Sequence, residues 1–149
     1  MHRKLRLDAI CEEFIDGTEV SVTLLGSTRR TVILPVCEWI FAGEVSFLTE
    51  RAKWDQEYRK IAGVGYRAAE IAKNTFAEVS RAARVAYAAL RMRDYGRVDL
   101  RIARDGTVYF LDGNANFGLR PVSATMNSLP FEEVIRRIVE SARKRGRPS

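Results

Sequence analysis

Long apolar runs are missing from this 149-residue chain, and no stretch approaches the roughly 18 apolar residues of a membrane span. Met1-His2-Arg3-Lys4 is followed by no apolar signal core, so a cytoplasmic protein is expected. Cysteine is also scarce. Cys11 and Cys37 have neither metal-ligand nor CxxC spacing, which points away from a disulfide or redox pair and toward free, mostly buried thiols. There is no Walker-type phosphate loop and no internal repeat. Gly63-Val64-Gly65-Tyr66-Arg67-Ala68 mimics a dinucleotide fingerprint, but the polar segment before it is not a buried strand, so no cofactor is placed there.

What is present suits one globular domain: 46% of residues are hydrophobic and 30% charged, enough for a core. The net charge of +6 invites a nucleic-acid reading until the charges are placed along the chain. Arg3, Lys4, Arg6, Arg143, Lys144, Arg145 and Arg147 take seven of the 25 basic residues to the two ends, leaving 18 against 19 acidic residues. The body is thus electrically balanced. Arg145-Gly146-Arg147-Pro148 can lie in an A·T minor groove, but a single copy at a chain end reads first as part of a solvated, disordered basic tail over residues 143–149.

From Asp8 to Trp39 the pattern is strand-like: Ala9 to Ile15, a turn at Asp16-Gly17, alternation in Val20, Val22 and Leu24, then a third strand over Val32 to Val36. Phe47 to Lys60 is mixed and polar. The Gly- and Ala-rich segment up to Lys73 is expected to be a mobile loop. Thr75-Phe76-Ala77-Glu78 has the form of a capping box, and Phe76, Val79, Ala83, Val85, Ala86 and Leu90 give one helix face ending near Arg93. A hairpin follows over Arg97 to Asn114. Phe131, Val134, Ile135, Ile138, Val139 and Ala142 stripe a second helix opened by Pro130. The fold class is α+β, an antiparallel sheet packed against two amphipathic helices.

The hairpin carries chemistry. Arg97, Asp99 and Arg101 alternate with Val98, Leu100 and Ile102, so the polar three share one strand face. With Asp105-Gly106 as a two-residue turn, Leu100 falls opposite Leu111, Asp99 opposite Asp112 and Arg97 opposite Asn114. Two carboxylates roughly 5 Å apart repel by about 3 kcal/mol at an effective dielectric near 20, so their charge needs an offset. A divalent cation supplies one, since two carboxylates and a carboxamide oxygen are hard ligands of the kind Mg²⁺ accepts. Neutralisation by Arg97 and Arg101 on a solvent-facing hairpin is the alternative.

The order of segments resembles the C-terminal part of the ATP-grasp fold in D-alanine–D-alanine ligases, over nearly the whole chain. Glu12-Glu13-Phe14-Ile15-Asp16-Gly17-Thr18-Glu19 is similar to that family's hinge motif. The resemblance implies that Glu12, Glu13, Phe14 and Ile15 border the adenine and that Glu19 accepts the ribose hydroxyls. Arg51-Ala52-Lys53-Trp54 is similar to a Glu-Ala-Lys-Tyr-like segment, with Lys53 toward the ATP phosphates and Phe47, six residues earlier, against adenine. Gly96-Arg97-Val98-Asp99-Leu100 and Tyr109-Phe110-Leu111-Asp112-Gly113-Asn114-Ala115-Asn116-Phe117-Gly118-Leu119 are similar to the closing motif. There Asp99, Asp112 and Asn114 hold Mg²⁺ (or Mn²⁺) by resemblance, and Leu111 borders the nucleotide. Asp112 stands where the family usually has Glu, and Ala115 and Phe117 stand where prolines are common.

The resemblance implies an ATP- and Mg-dependent carboxylate–amine ligase of the peptidoglycan-building type, working through an acyl phosphate. Arg97 and the backbone N–H of Gly118 would stabilise the tetrahedral intermediate, and Ser123 would bind the carboxylate of the second amino acid, with D-alanine an example substrate. The expected organisation is an ATP-grasp C-terminal domain over residues 1–142, lacking the family's N-terminal substrate domain and central glycine-rich-loop domain. On that expectation the isolated chain is inactive unless a separate chain supplies them. A non-catalytic relic that binds nucleotide or protein is the alternative, followed by a DNA-associated protein using its basic tail.

Overall fold

Val20, Val22 and Leu24 alternate with Glu19, Ser21 and Thr23, which gives a strand with one apolar and one polar face, and β1 (Gly17–Leu25) forms there. The computed structural model describes residues 10–27, 30–42, 46, 47, 49, 51, 52, 55–119 and 129–145. β1 is the middle strand of a six-stranded antiparallel sheet ordered β4-β3-β1-β5-β6. β2 (Val32–Ile33) and β3 (Cys37–Phe41) share one edge of β1, while β5 (Tyr95–Ala103) pairs with its whole length, from Gly17↔Ala103 to Leu25↔Tyr95.

Several strand expectations shift. Residues 10–16 carry no strand, and β1 begins at the glycine that was expected to turn. A Cβ on Gly17 would lie 2.1 Å from the Ile102 carbonyl oxygen, so only glycine allows this approach to β5. The strand expected over Val32 to Val36 is paired only at Val32 and Ile33, and Pro35 has no N–H to extend the ladder. The segment expected to be a mobile loop contains β4 (Val64–Ala68), whose five residues pair with β3. Trp39 and Tyr66 pack edge to face across that pair, at 5.5 Å between ring centroids. In the polar stretch before it, Asp55 caps α1 (Gln56–Ile61) by accepting the Tyr58 N–H at 2.8 Å.

β6 (Val108–Asn114) completes the hairpin and forms one sheet edge. Asp99↔Asp112 and Arg97↔Asn114 are opposed as the sequence predicts, but the path differs, because Leu100 faces Phe110 rather than Leu111. The loop has three residues, with Ala103 and Thr107 bonded across it and Gly106 at φ 87°. That shifts the register by one, and a bulge at Leu111 shifts it back.

α2 (Lys73–Ala89) covers the apolar face of the sheet with Val79, Ala83 and Tyr87, an i, i+4, i+8 stripe packed on Val20, Val22, Val98 and Leu100. Phe76, Val85 and Leu90 are exposed instead, Val85 at 60%. The capping box does not form: the helix starts before Thr75, from Ala72, which makes no side-chain cap. α3 (Phe131–Arg145) lies against the opposite side at one end, where Val134 packs with Leu25 and Leu34. It extends through Arg143, Lys144 and Arg145, which are therefore helical and not part of a tail, whereas 146–149 lie outside the described residues. Ser141 and Arg145 both bond the Asp94 carboxylate, tying that last turn to the segment before β5. Among the described residues no helix is long and apolar enough to cross a membrane.

The two cysteines differ. Cys37 is buried, and burial pushes its thiol up to about 11, but Cys11 is exposed, contrary to expectation, because residues 10–16 are not a core strand. A thiol-reactive probe at neutral pH should therefore modify Cys11 rapidly and Cys37 only after unfolding. Mass mapping of the labelled peptides checks this, and fast double labelling of the native protein would contradict it.

Candidate functional site

The polar face of β1 and β5 is buried rather than bathed in solvent. Glu19, Ser21, Thr23, Asp99 and Arg101 are the buried polar residues among those described, and all five lie on it. The β1–β5 register sets them in rungs: Glu19 opposite Arg101, Ser21 opposite Asp99, and Thr23 opposite Arg97. Each rung has its own chemistry. Arg101 Nη2 meets a Glu19 carboxylate oxygen at 2.6 Å, and the Ser21 hydroxyl donates to Asp99 at 2.6 Å. Trp39 Nε1 donates in turn to the Ser21 hydroxyl oxygen at 2.9 Å, so a chain of donors runs from β3 to Asp99. Arg97 grips both Asp99 oxygens, with Nε and Nη2 each at 2.8 Å.

A cleft of about 240 Å³ opens over these rungs. Glu13, Phe14 and Ile15 form one wall, and the Phe47 ring sits 6.4 Å from that of Phe14. Glu19, Asp99 and Arg101 form the floor, with Leu111 and Asp112 on the β6 side. Consecutive strand residues normally face opposite ways, and the bulge allows both Leu111 and Asp112 to border the cleft.

Eight of the nine lining residues are ones to which the resemblance assigns nucleotide or metal contacts. The exception is Arg101, which the sequence presents only as a neutralising charge. Sequence reasoning also misses Ser21, which bonds Asp99, and Trp39, which bonds Ser21. Alternation placed Ser21 on the polar face, but nothing local in the sequence shows that Asp99 lies opposite. Glu12 is exposed and does not border the cleft. Asn114 lies just beyond it, its side-chain oxygen accepting the Asn116 N–H at 2.9 Å, and Gly118 is exposed in the following loop. Arg97 reaches the cleft only through Asp99, with its guanidinium 5.8 Å from the Phe117 ring centroid. Lys53 and Ser123 lie outside the described residues.

Charge balance departs from the expectation that a cation must separate the opposed carboxylates. Arg97 already offsets Asp99, while Asp112 is exposed and, among the described residues, accepts only its neighbouring Gly113 N–H, at 2.8 Å. The side-chain oxygens of Asp99, Asp112 and Asn114 remain an all-oxygen donor set in adjoining register positions, which suits a hard cation.

The chain is similar to known proteins throughout this fold. It is 33% identical over 141 residues to a D-alanine–D-alanine ligase of Methylibium petroleiphilum, an alignment covering 91% of the chain and 42% of that protein. The ligase of Halalkalibacterium halodurans is 31% identical over 144 residues, with 91% of the chain and 45% of the relative covered. Among solved structures, a Bacillus anthracis D-alanine–D-alanine ligase complexed with ATP superposes with a TM-score of 0.68 at 20% identity, over 89% of this chain and 40% of that one. The chain thus spans less than half the length of these relatives. The family model described as D-ala D-ala ligase C-terminus matches residues 3–140, and the chain belongs to that family.

Proposed function

We propose that this chain is the nucleotide- and metal-binding portion of a cytoplasmic, ATP-dependent carboxylate–amine ligase of the D-alanine–D-alanine ligase type. One observation carries the reading: residues far apart in sequence, from Glu13 to Asp112, line a single cleft, and all but Arg101 are those assigned to ATP or metal by resemblance. Phe14 and Phe47 offer ring surface to the adenine, the hinge backbone around Glu13 and Ile15 its polar edge, and Glu19 an acceptor for ribose hydroxyls. Asp99, Asp112 and Asn114 would hold Mg²⁺ or Mn²⁺, which when bound offsets charge on the phosphate oxygens. Arg97 presents a planar fork of donors and is held by Asp99, so it suits stabilisation of the oxyanion, with the Gly118 N–H as a second donor. Lys53 would meet phosphate, and Ser123 the carboxylate of an amino acid such as D-alanine. The remaining walls of the active site belong to segments beyond these residues, in the same polypeptide or in a separate chain. A non-catalytic relic is the second reading, favoured by the ion pairs that already occupy Glu19 and Asp99.

Thermal unfolding with Mn²⁺ and ATP tests the proposal. A ligand at a hundredfold excess over its dissociation constant stabilises the native state by about 2.7 kcal/mol, so the melting temperature should rise by several degrees. The rise should be lost in Asp112→Asn, a change at an exposed residue. An equal rise in both proteins would remove the metal site, and no rise with either ligand in the native chain would count against the whole reading.

A further inference from the structure

We infer that Arg101 is a built-in competitor for the nucleotide: its guanidinium holds the acceptors and ring surface that the base and ribose would use, and it must swing aside before they bind. The inference rests on the nucleotide reading of the cleft and concerns how that site is gated. Arg101 is 3% exposed, yet it borders the cleft. One of its terminal nitrogens donates to the Ile15 carbonyl at 3.0 Å. The other donates to Glu19 at 2.6 Å and to the Ser46 carbonyl at 3.1 Å. The guanidinium carbon lies over the Phe14 ring, 5.0 Å from its centroid.

These contacts draw the hinge segment, β1, β5 and the Ser46–Phe47 side of the cleft onto one cation. A purine requires a flat slot between apolar surfaces, and a planar guanidinium against Phe14 takes up part of that slot. Ribose hydroxyls donate to a carboxylate, and one oxygen of Glu19 already serves Arg101. The locked arrangement is not fully satisfied either: Arg101 Nε is buried and has no hydrogen-bond partner among the described residues. A buried donor without an acceptor is costly, so the closed state leaves room for an alternative in which the side chain turns outward. The cleft then binds nucleotide in proportion to the fraction of molecules in which Arg101 has left it.

The test is calorimetric titration of the full chain with adenosine and with Mn-ATP. It compares the native protein, Arg101→Met and Arg101→Met/Glu19→Gln; the last variant removes the buried charge that the single change strands. Arg101→Met, shown to be folded by circular dichroism, should bind adenosine at least about tenfold more tightly than the native chain; the double variant, whose amide is a weaker acceptor for the ribose, should still bind more tightly than the native chain but less tightly than Arg101→Met. Equal or weaker adenosine binding by the variants, with the native chain still binding Mn-ATP, would overturn the lock and leave the nucleotide reading standing. Failure of all three folded proteins to bind either ligand would overturn both.

Discussion

Replacing Glu19 by Ala is expected to destabilise the fold by about 3–5 kcal/mol, because the change strands a buried charge rather than merely deleting a contact. Glu19 and Arg101 are 7% and 3% exposed, and the carboxylate is the only anionic partner of that guanidinium among the described residues. The carbonyls of Ile15 and Ser46 remain as acceptors, but neither carries a formal charge. Adding Arg101→Met removes the stranded cation and fills similar volume with an apolar side chain, so the double variant should recover most of the loss. Urea unfolding of the native, single and double variants measures the cycle. If the double variant loses the sum of the two single effects, the rung is not a coupled pair, and the lock proposed for Arg101 loses its physical basis.

The second large effect belongs to the opposite face of the sheet. Tyr87→Ala should cost about 3–5 kcal/mol, the range for deleting a fully buried aromatic side chain. The Tyr87 ring fills the space beside Gly96, where an added Cβ would come within 3.0 Å of it. Its hydroxyl donates to the Gly26 carbonyl at 2.8 Å, and burial first, then the Asp94 charge, push its ionisation up to about 12, so it stays a donor at neutral pH. Tyr87→Phe removes only the hydroxyl and should cost about 1 kcal/mol, mainly by leaving that carbonyl without its donor. Chemical denaturation of both variants separates packing from hydrogen bonding. Similar losses would mean that the hydroxyl, not the ring, is what anchors α2.

Sequence periodicity determined those features that depend on neighbours along the chain. Alternation over residues 97–102 puts Arg97, Asp99 and Arg101 on one face, and the turn at Asp105-Gly106 brings β6 back against it. Even there, the pairing of Asp99 with Asp112 results from two one-residue shifts that cancel, a longer loop and a bulge, and the second is invisible in a pattern of alternating residues. Helix stripes identified α2 and α3, but exposed Val85 and Leu90 show that the stripe does not reveal which part of it meets the sheet.

The rest was decided by contacts across the fold. Ser21 lies 78 residues from Asp99, and Arg101 lies 86 from Ile15. No local spacing encodes such partners; they exist because β1 and β5 pair along their whole length. β4 is a strand because β3 offers it an open ladder, whereas residues 10–16 form no strand and the Ile15 carbonyl accepts from the Arg101 side chain instead. The sequence by itself therefore determined which side chains form the polar face and which two segments are amphipathic helices, because both follow from the period of a strand or helix. Only the tertiary structure decided that this polar face is buried, that its acids are already paired with arginines, and that Arg101 lies within the cleft. Burial and charge pairing depend on what strands distant in sequence bring to the same place.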